Sequence, residues 1–241
     1  MPDAPDWHPY QPGSSRYVLK DMGELAARLG SPVVYDRLGE VVFMDDFRYG
    51  LAPYYTSLDG TGASVKVSAA NTLLGGFGMR LTGGSDSGRT GSLLKFLSNA
   101  EISQWGIECG VSLPGNFDYF HLELSFYDGV ERVLCVLRLD KTNNEIQLQE
   151  DGTVNTKVDD LTDPVQANGM FHNLKIVANF ETGYYTRLRY NYTDYNVSDL
   201  YMNRVSVPVA PGSQITAKMG SRSGQNDYCD LARIIVTANE P

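Results

Sequence analysis

From Val33 to the C-terminus, apolar residues recur at every second position in short runs separated by Gly, Asn and Asp clusters. This period of two constrains the chain more than any other feature. Successive side chains on extended backbone point to opposite faces, so each run buries one face and must pair edge to edge to satisfy its N–H and C=O groups. Strands are expected near residues 63–69, 77–82, 91–97, 101–111, 119–127, 131–139, 144–149, 171–180, 184–192, 204–209, 213–219 and 230–238. A hairpin joining Val33–Tyr35 to Val41–Phe43 across Arg37–Glu40 brings the total to about fourteen. With no helical pattern between them, these runs exclude a parallel α/β sheet and predict an all-β antiparallel sandwich.

Several runs assign their own faces. Phe120, Leu122, Leu124 and Phe126 share one side, leaving His121, Glu123, Ser125 and Tyr127 on a wetter one. Leu174, Ile176, Ala178 and Phe180 repeat the pattern, and the turn Glu181-Thr182-Gly183 leads into a partner run where Thr186, Leu188 and Tyr190 oppose Arg187, Arg189 and Asn191. Ahead of the strands the pattern differs. Residues 1–20 carry Pro2, Pro5, Pro9 and Pro12 among Trp7, Tyr10 and Tyr17, a composition that favours an extended arm. Asp21 and Glu24 form a capping box for one short helix, with Met22, Leu25, Ala26 and Leu29 on one stripe and Gly30 and Pro32 ending it. The expected organisation is therefore residues 1–40 as arm, helix and first hairpin strand, and residues 41–241 as the sandwich.

Composition removes several function classes. The 241 residues are 42% hydrophobic, enough for a sizeable core, and carry 29 acidic against 20 basic side chains, a net charge of -9. No basic run relieves that balance, which argues against phosphate contacts with nucleic acid. No apolar stretch reaches the roughly 20 residues of a membrane helix, and the first residues lack the pattern of an export signal, so synthesis in a cytoplasm without membrane attachment is expected. Cys109, Cys135 and Cys229 are far apart, with no zinc spacing, and read as reduced core thiols.

Three segments carry a resemblance. Val41–Phe47 with Gly50-Leu51, Gly76–Leu81, and Tyr228–Val236 are similar to the opening Asp-Asp-Phe strand, the Gly-rich second element and the closing Asp-bearing strand of concanavalin A-like jelly-roll domains. This likeness covers about residues 41–241 and implies the fold much more than any function. It also implies that first and last strands lie side by side, where Asp46 and Asp230 would share a structural calcium through hard oxygen ligands. The stretch Asp21–Arg37 looks like the lead-in of bacteriophage structural proteins.

Glycosidases on this jelly roll carry a Glu-x-Asp-x-Glu or Glu-x-Asp-x-x-Glu strand, because one carboxylate attacks while a second protonates the leaving group from about 5.5 Å away. The nearest match is Glu145-Ile146-Gln147-Leu148-Gln149-Glu150, where Gln147 and Gln149 leave one carboxylate and two amides on the alternating face. No catalytic set is expected. The reading that follows is a non-enzymatic virion component, a capsid decoration or auxiliary shell protein, with Trp7, Tyr10 and Tyr17 docking to neighbouring shell subunits in a homo-oligomeric or assembly-bound state. The alternative is a lectin-like module binding a glycan on the concave sheet through His121, Glu123, Tyr127, Arg187 and Arg189. Tyr184, Tyr185, Tyr190, Tyr192, Tyr195 and Tyr201 crowd one stretch, where such rings either stack on sugars or pair across strands.

Overall fold

The computed structural model describes residues 39–72, 77–97, 102–161 and 170–241. The arm residues Trp7, Tyr10 and Tyr17, the helix at 21–30 and the strand at Val33–Tyr35 lie outside them. Gly39–Pro241 forms one compact unit.

Among the described residues sixteen strands follow in chain order: β1 (Glu40–Asp45), β2 (Tyr55–Leu58), β3 (Ser64–Ser68), β4 (Gly78–Thr82), β5 (Thr90–Leu97), β6 (Gln104–Ser112), β7 (Tyr119–Tyr127), β8 (Glu131–Asp140), β9 (Glu145–Glu150), β10 (Val154–Asp160), β11 (Phe171–Asn179), β12 (Tyr184–Tyr190), β13 (Thr193–Asn196), β14 (Asn203–Ser206), β15 (Gly212–Gly220) and β16 (Tyr228–Ala238). They form two eight-stranded sheets. The first runs β13-β12-β11-β6-β16-β4-β3 with β1 also on β16, and the second runs β10-β9-β8-β7-β15-β5-β2 with β14 also on β8. Every pairing is antiparallel. This is the concanavalin A-like jelly roll. As the resemblance implied, β1 and the closing strand β16 are neighbours.

The core lies between the sheets. Ile107, Cys109 and Val111 of β6 and Leu174 and Ile176 of β11 meet Phe120, Leu122 and Leu124 of β7 and Leu137 and Leu139 of β8, all without meaningful exposure. The three cysteines are free thiols inside it. Tyr185 ties the two sheets together: its hydroxyl donates to the Gln149 carbonyl at 2.8 Å and accepts from the Val136 N–H at 3.1 Å. The hairpin between β11 and β12 turns at Gly183, whose positive φ of 84° suits glycine.

One face assignment needs correction. A register shift opposite Val177 and Ala178 pairs them with Arg187 and Tyr185, leaving Thr186 as the extra residue. The bulge puts Tyr185 on the buried side with Leu188 and Tyr190, the side that strict alternation gives to Thr186.

Candidate functional site

The polar side of β7 and its neighbours forms a groove of about 550 Å³ on the outer face of the second sheet. Alternation builds it. While Ile215, Ala217 and Met219 of β15 enter the core, Gln214, Thr216 and Lys218 face the groove with His121 and Glu123 of β7, Arg132 of β8, Ser92 and Leu94 of β5, Ser57 of β2 and Gln149 of β9. Register aligns these side chains into rows. Ser92, Lys218, His121, Arg138, Gln147 and Lys157 are successive cross-strand partners over six strands. Leu94, Thr216 and Glu123 form the next row.

Sequence alternation marks this face as wetter, yet His121 is 8%, Glu123 3% and Ser125 0% exposed. Hydrogen bonds between the polar groups make that burial tolerable. Glu123 accepts from Arg132 Nη2 and from His121 Nε2, the latter at 3.1 Å. A carboxylate can only accept here, so Nε2 carries the imidazole proton and Nδ1 is left as an acceptor. Burial lowers the His121 pKa against the opposing pull of Glu123, which keeps the ring neutral near pH 7. Burial alone would raise Glu123, but its hydrogen bond to His121 and the nearby cations hold it well below the usual carboxylate range. The Tyr127 hydroxyl donates to Gln214 Oε1 at 3.2 Å, and Gln214 Nε2 donates to Thr216 at 2.8 Å. Arg138 lies 4.0 Å from the Tyr119 ring centroid and reaches Asp140 at 3.1 Å.

An aromatic platform flanks the groove. Tyr55 and Phe96 are 66% and 55% exposed and meet edge to face at 5.8 Å. Tyr55 stands opposite Leu94, and Phe96 opposite Gln214, which puts both rings on the groove side. Sequence reading missed this pair, because Tyr55 belongs to a four-residue strand exposed at every position. It also missed Lys218, Thr216, Gln214 and Arg132, although the alternation of residues 214–219 contains the signal.

The candidate residues separate. His121, Glu123 and Tyr127 share the second sheet, but Arg187 and Arg189 lie on β12 of the first sheet. The five residues therefore make no single site. Arg187 pairs with Glu240, and Arg189 with Asp194, on the opposite outer face. Asp46 and Asp230 are not brought together either. Asp45 stands opposite Ile234, four positions along β16 from Asp230, roughly 13 Å at the rise of a strand. Asp230 is fully buried and takes two bonds from Arg80, both 2.8 Å, and one from Asn71 at 2.6 Å, whereas Asp46 accepts from Arg48. Among the described residues no group of three or more His, Cys, Asp or Glu could hold a metal ion.

Glu145, Gln147 and Gln149 do face the groove side of β9. Gln147 Nε2 donates to Glu145 at 2.7 Å, and Gln149 Oε1 accepts from Asn203 at 3.1 Å. Glu123 is the one carboxylate among the described groove-lining residues, and Arg132 and His121 occupy it. Such a face can bind hydroxyl and charged groups. Asp140 and Glu145 are cross-strand partners on the same face but outside the described groove lining, which itself holds the single carboxylate Glu123. The tyrosines also divide: Tyr185 and Tyr190 are buried, Tyr184 packs on Tyr201 at 5.0 Å, and Tyr192 is 94% exposed.

No family model and no curated protein matches the chain. Solved structures do. A sialidase superposes over 86% of this chain with a TM-score of 0.53 at 12% identity, and the match spans 19% of the sialidase. The Bacillus licheniformis β-glucanase matches over 83% of this chain and 99% of its own, with a TM-score of 0.50 at 13% identity. A carbohydrate esterase from the Shiga toxin-encoding bacteriophage phi24B matches over 84% of this chain and 100% of its own, with a TM-score of 0.50 at 14% identity. At these identities the likeness establishes the jelly-roll fold alone.

Proposed function

We propose that this protein is a non-enzymatic carbohydrate-binding jelly roll of a bacteriophage particle, and that the groove on the second sheet takes the glycan. One observation carries the reading: an exposed aromatic pair, Tyr55 and Phe96, adjoins a groove of preorganised donors and acceptors on the same sheet face. Aromatic rings cover the apolar face of a sugar while fixed polar groups select its hydroxyls. Open grooves bind weakly one at a time, and many copies on a particle would convert weak contacts into firm attachment. The virion placement draws support from the Pro-rich aromatic stretch at residues 1–20 and from the shared fold of the phage phi24B esterase. In that placement Trp7, Tyr10 and Tyr17 anchor the chain to neighbouring shell subunits.

The test is a glycan array probed with the full chain. Selective retention of a saccharide class, without turnover, is the expected result. Hydrolysis abolished by Glu145→Gln would overturn the non-enzymatic part, and an array with no retained glycan would overturn the binding part.

A further inference from the structure

The cations of the groove are not balanced. Arg132 pairs with Glu123, and Arg138 with Asp140. Lys218, between Ser92 and His121 in its row, has no hydrogen-bond or ion-pair partner among the described residues. A partly buried ammonium with no carboxylate in contact is costly, and here burial lowers its pKa, with Glu123 opposing from a distance and Arg132 and Arg138 pushing the same way as burial. Lys218 is therefore an unpaired cation lining the groove, beside the neutral ring of His121.

We infer that the groove is built for an acidic saccharide, whose carboxylate or phosphate pairs with Lys218. The inference rests on the glycan-binding reading and adds the chemical class. It also runs against the overall charge of the chain. At a net charge of -9, bulk electrostatics repels a polyanion, so a preference for acid must arise locally.

The experiment is titration calorimetry of the full chain with three probes of matched length: oligogalacturonate, a neutral galactan oligomer and a glycerol-phosphate oligomer. At least one acidic probe should bind about tenfold or more tightly than the neutral one, the scale of one charge-assisted hydrogen bond. The two acidic probes distinguish carboxylate from phosphate. Lys218→Gln should remove the preference, whereas Lys218→Arg, which keeps the charge, should retain most of it. Equal binding of acidic and neutral probes, unchanged in Lys218→Gln, would overturn the acid assignment and leave glycan binding standing. No binding of any probe, with an empty glycan array, would overturn both.

Discussion

Replacing Asp230 by Asn tests whether this residue is a structural anchor or a metal ligand. The carboxylate has no solvent exposure and receives three bonds, two from Arg80 at 2.8 Å and one from Asn71 at 2.6 Å. An amide cannot accept all three, since its NH₂ must face one of these donors. Removing one partner of a buried ion pair costs about 3–5 kcal/mol. The Arg80 side chain is 30% exposed and can rehydrate, so the low end applies, about 3 kcal/mol. In a chain of this size that is a fall in Tm of about 6–12 °C. The assay is thermal unfolding of the full wild-type and Asp230→Asn proteins, each in calcium and in chelator. The expected result is a large fall for the variant and no calcium response in either protein. A calcium-dependent rise in the wild type that the variant lacks would refute the reasoning, as would a variant that melts with the wild type.

Further outcomes follow from other contacts. Tyr185→Phe should cost about 1–2 kcal/mol in urea unfolding, because it leaves the Gln149 carbonyl without its donor at the inter-sheet bridge. Gly91→Ala should cost about 3 kcal/mol, since a Cβ there would lie 2.2 Å from the Thr82 carbonyl oxygen, a backbone atom that cannot step aside. Glu123 has a depressed folded pKa, so its contribution is present above the ordinary carboxylate pKa and is lost as pH falls through its own. His121, also depressed, acts in the same direction from its ordinary value downward, because protons bind the unfolded ring first. Unfolding near neutral pH and at about pH 3 should show Glu123→Gln losing less stability on acidification than the wild type.

The interior strands were legible in the sequence, because burial of one face writes a period of two into residues such as 120–126 and 174–178. The strands that escaped are β2, β10 and β13. Each is a sheet edge, and none of the three has a fully buried residue, so no clean alternation marks them. The site was legible in part for a different reason. Alternation assigns a side chain to a face of its own strand, and it identified His121, Glu123 and Tyr127 correctly as one face. Which sheet a strand joins depends on long-range pairing, and β12 pairs with β11 in the first sheet while β7 lies in the second. Arg187 and Arg189 were grouped with β7 for lack of that information. Asp46 and Asp230 failed through register: neighbouring strands place residues side by side only at matching positions, and β1 meets β16 four residues away from Asp230.

The central claim is that glycan binds the groove face of the second sheet. The most direct measurement is the affinity of an array-selected glycan for the full chain, for the Tyr55→Ala, Phe96→Ala double variant and for Arg189→Ala on the opposite face. Both ring positions are exposed, so the double variant should fold as the wild type does and lose affinity about tenfold or more, the scale of two lost stacking contacts. Arg189→Ala should bind as the wild type. Loss of affinity in Arg189→Ala with the double variant unaffected would move the site to the first sheet and contradict the account.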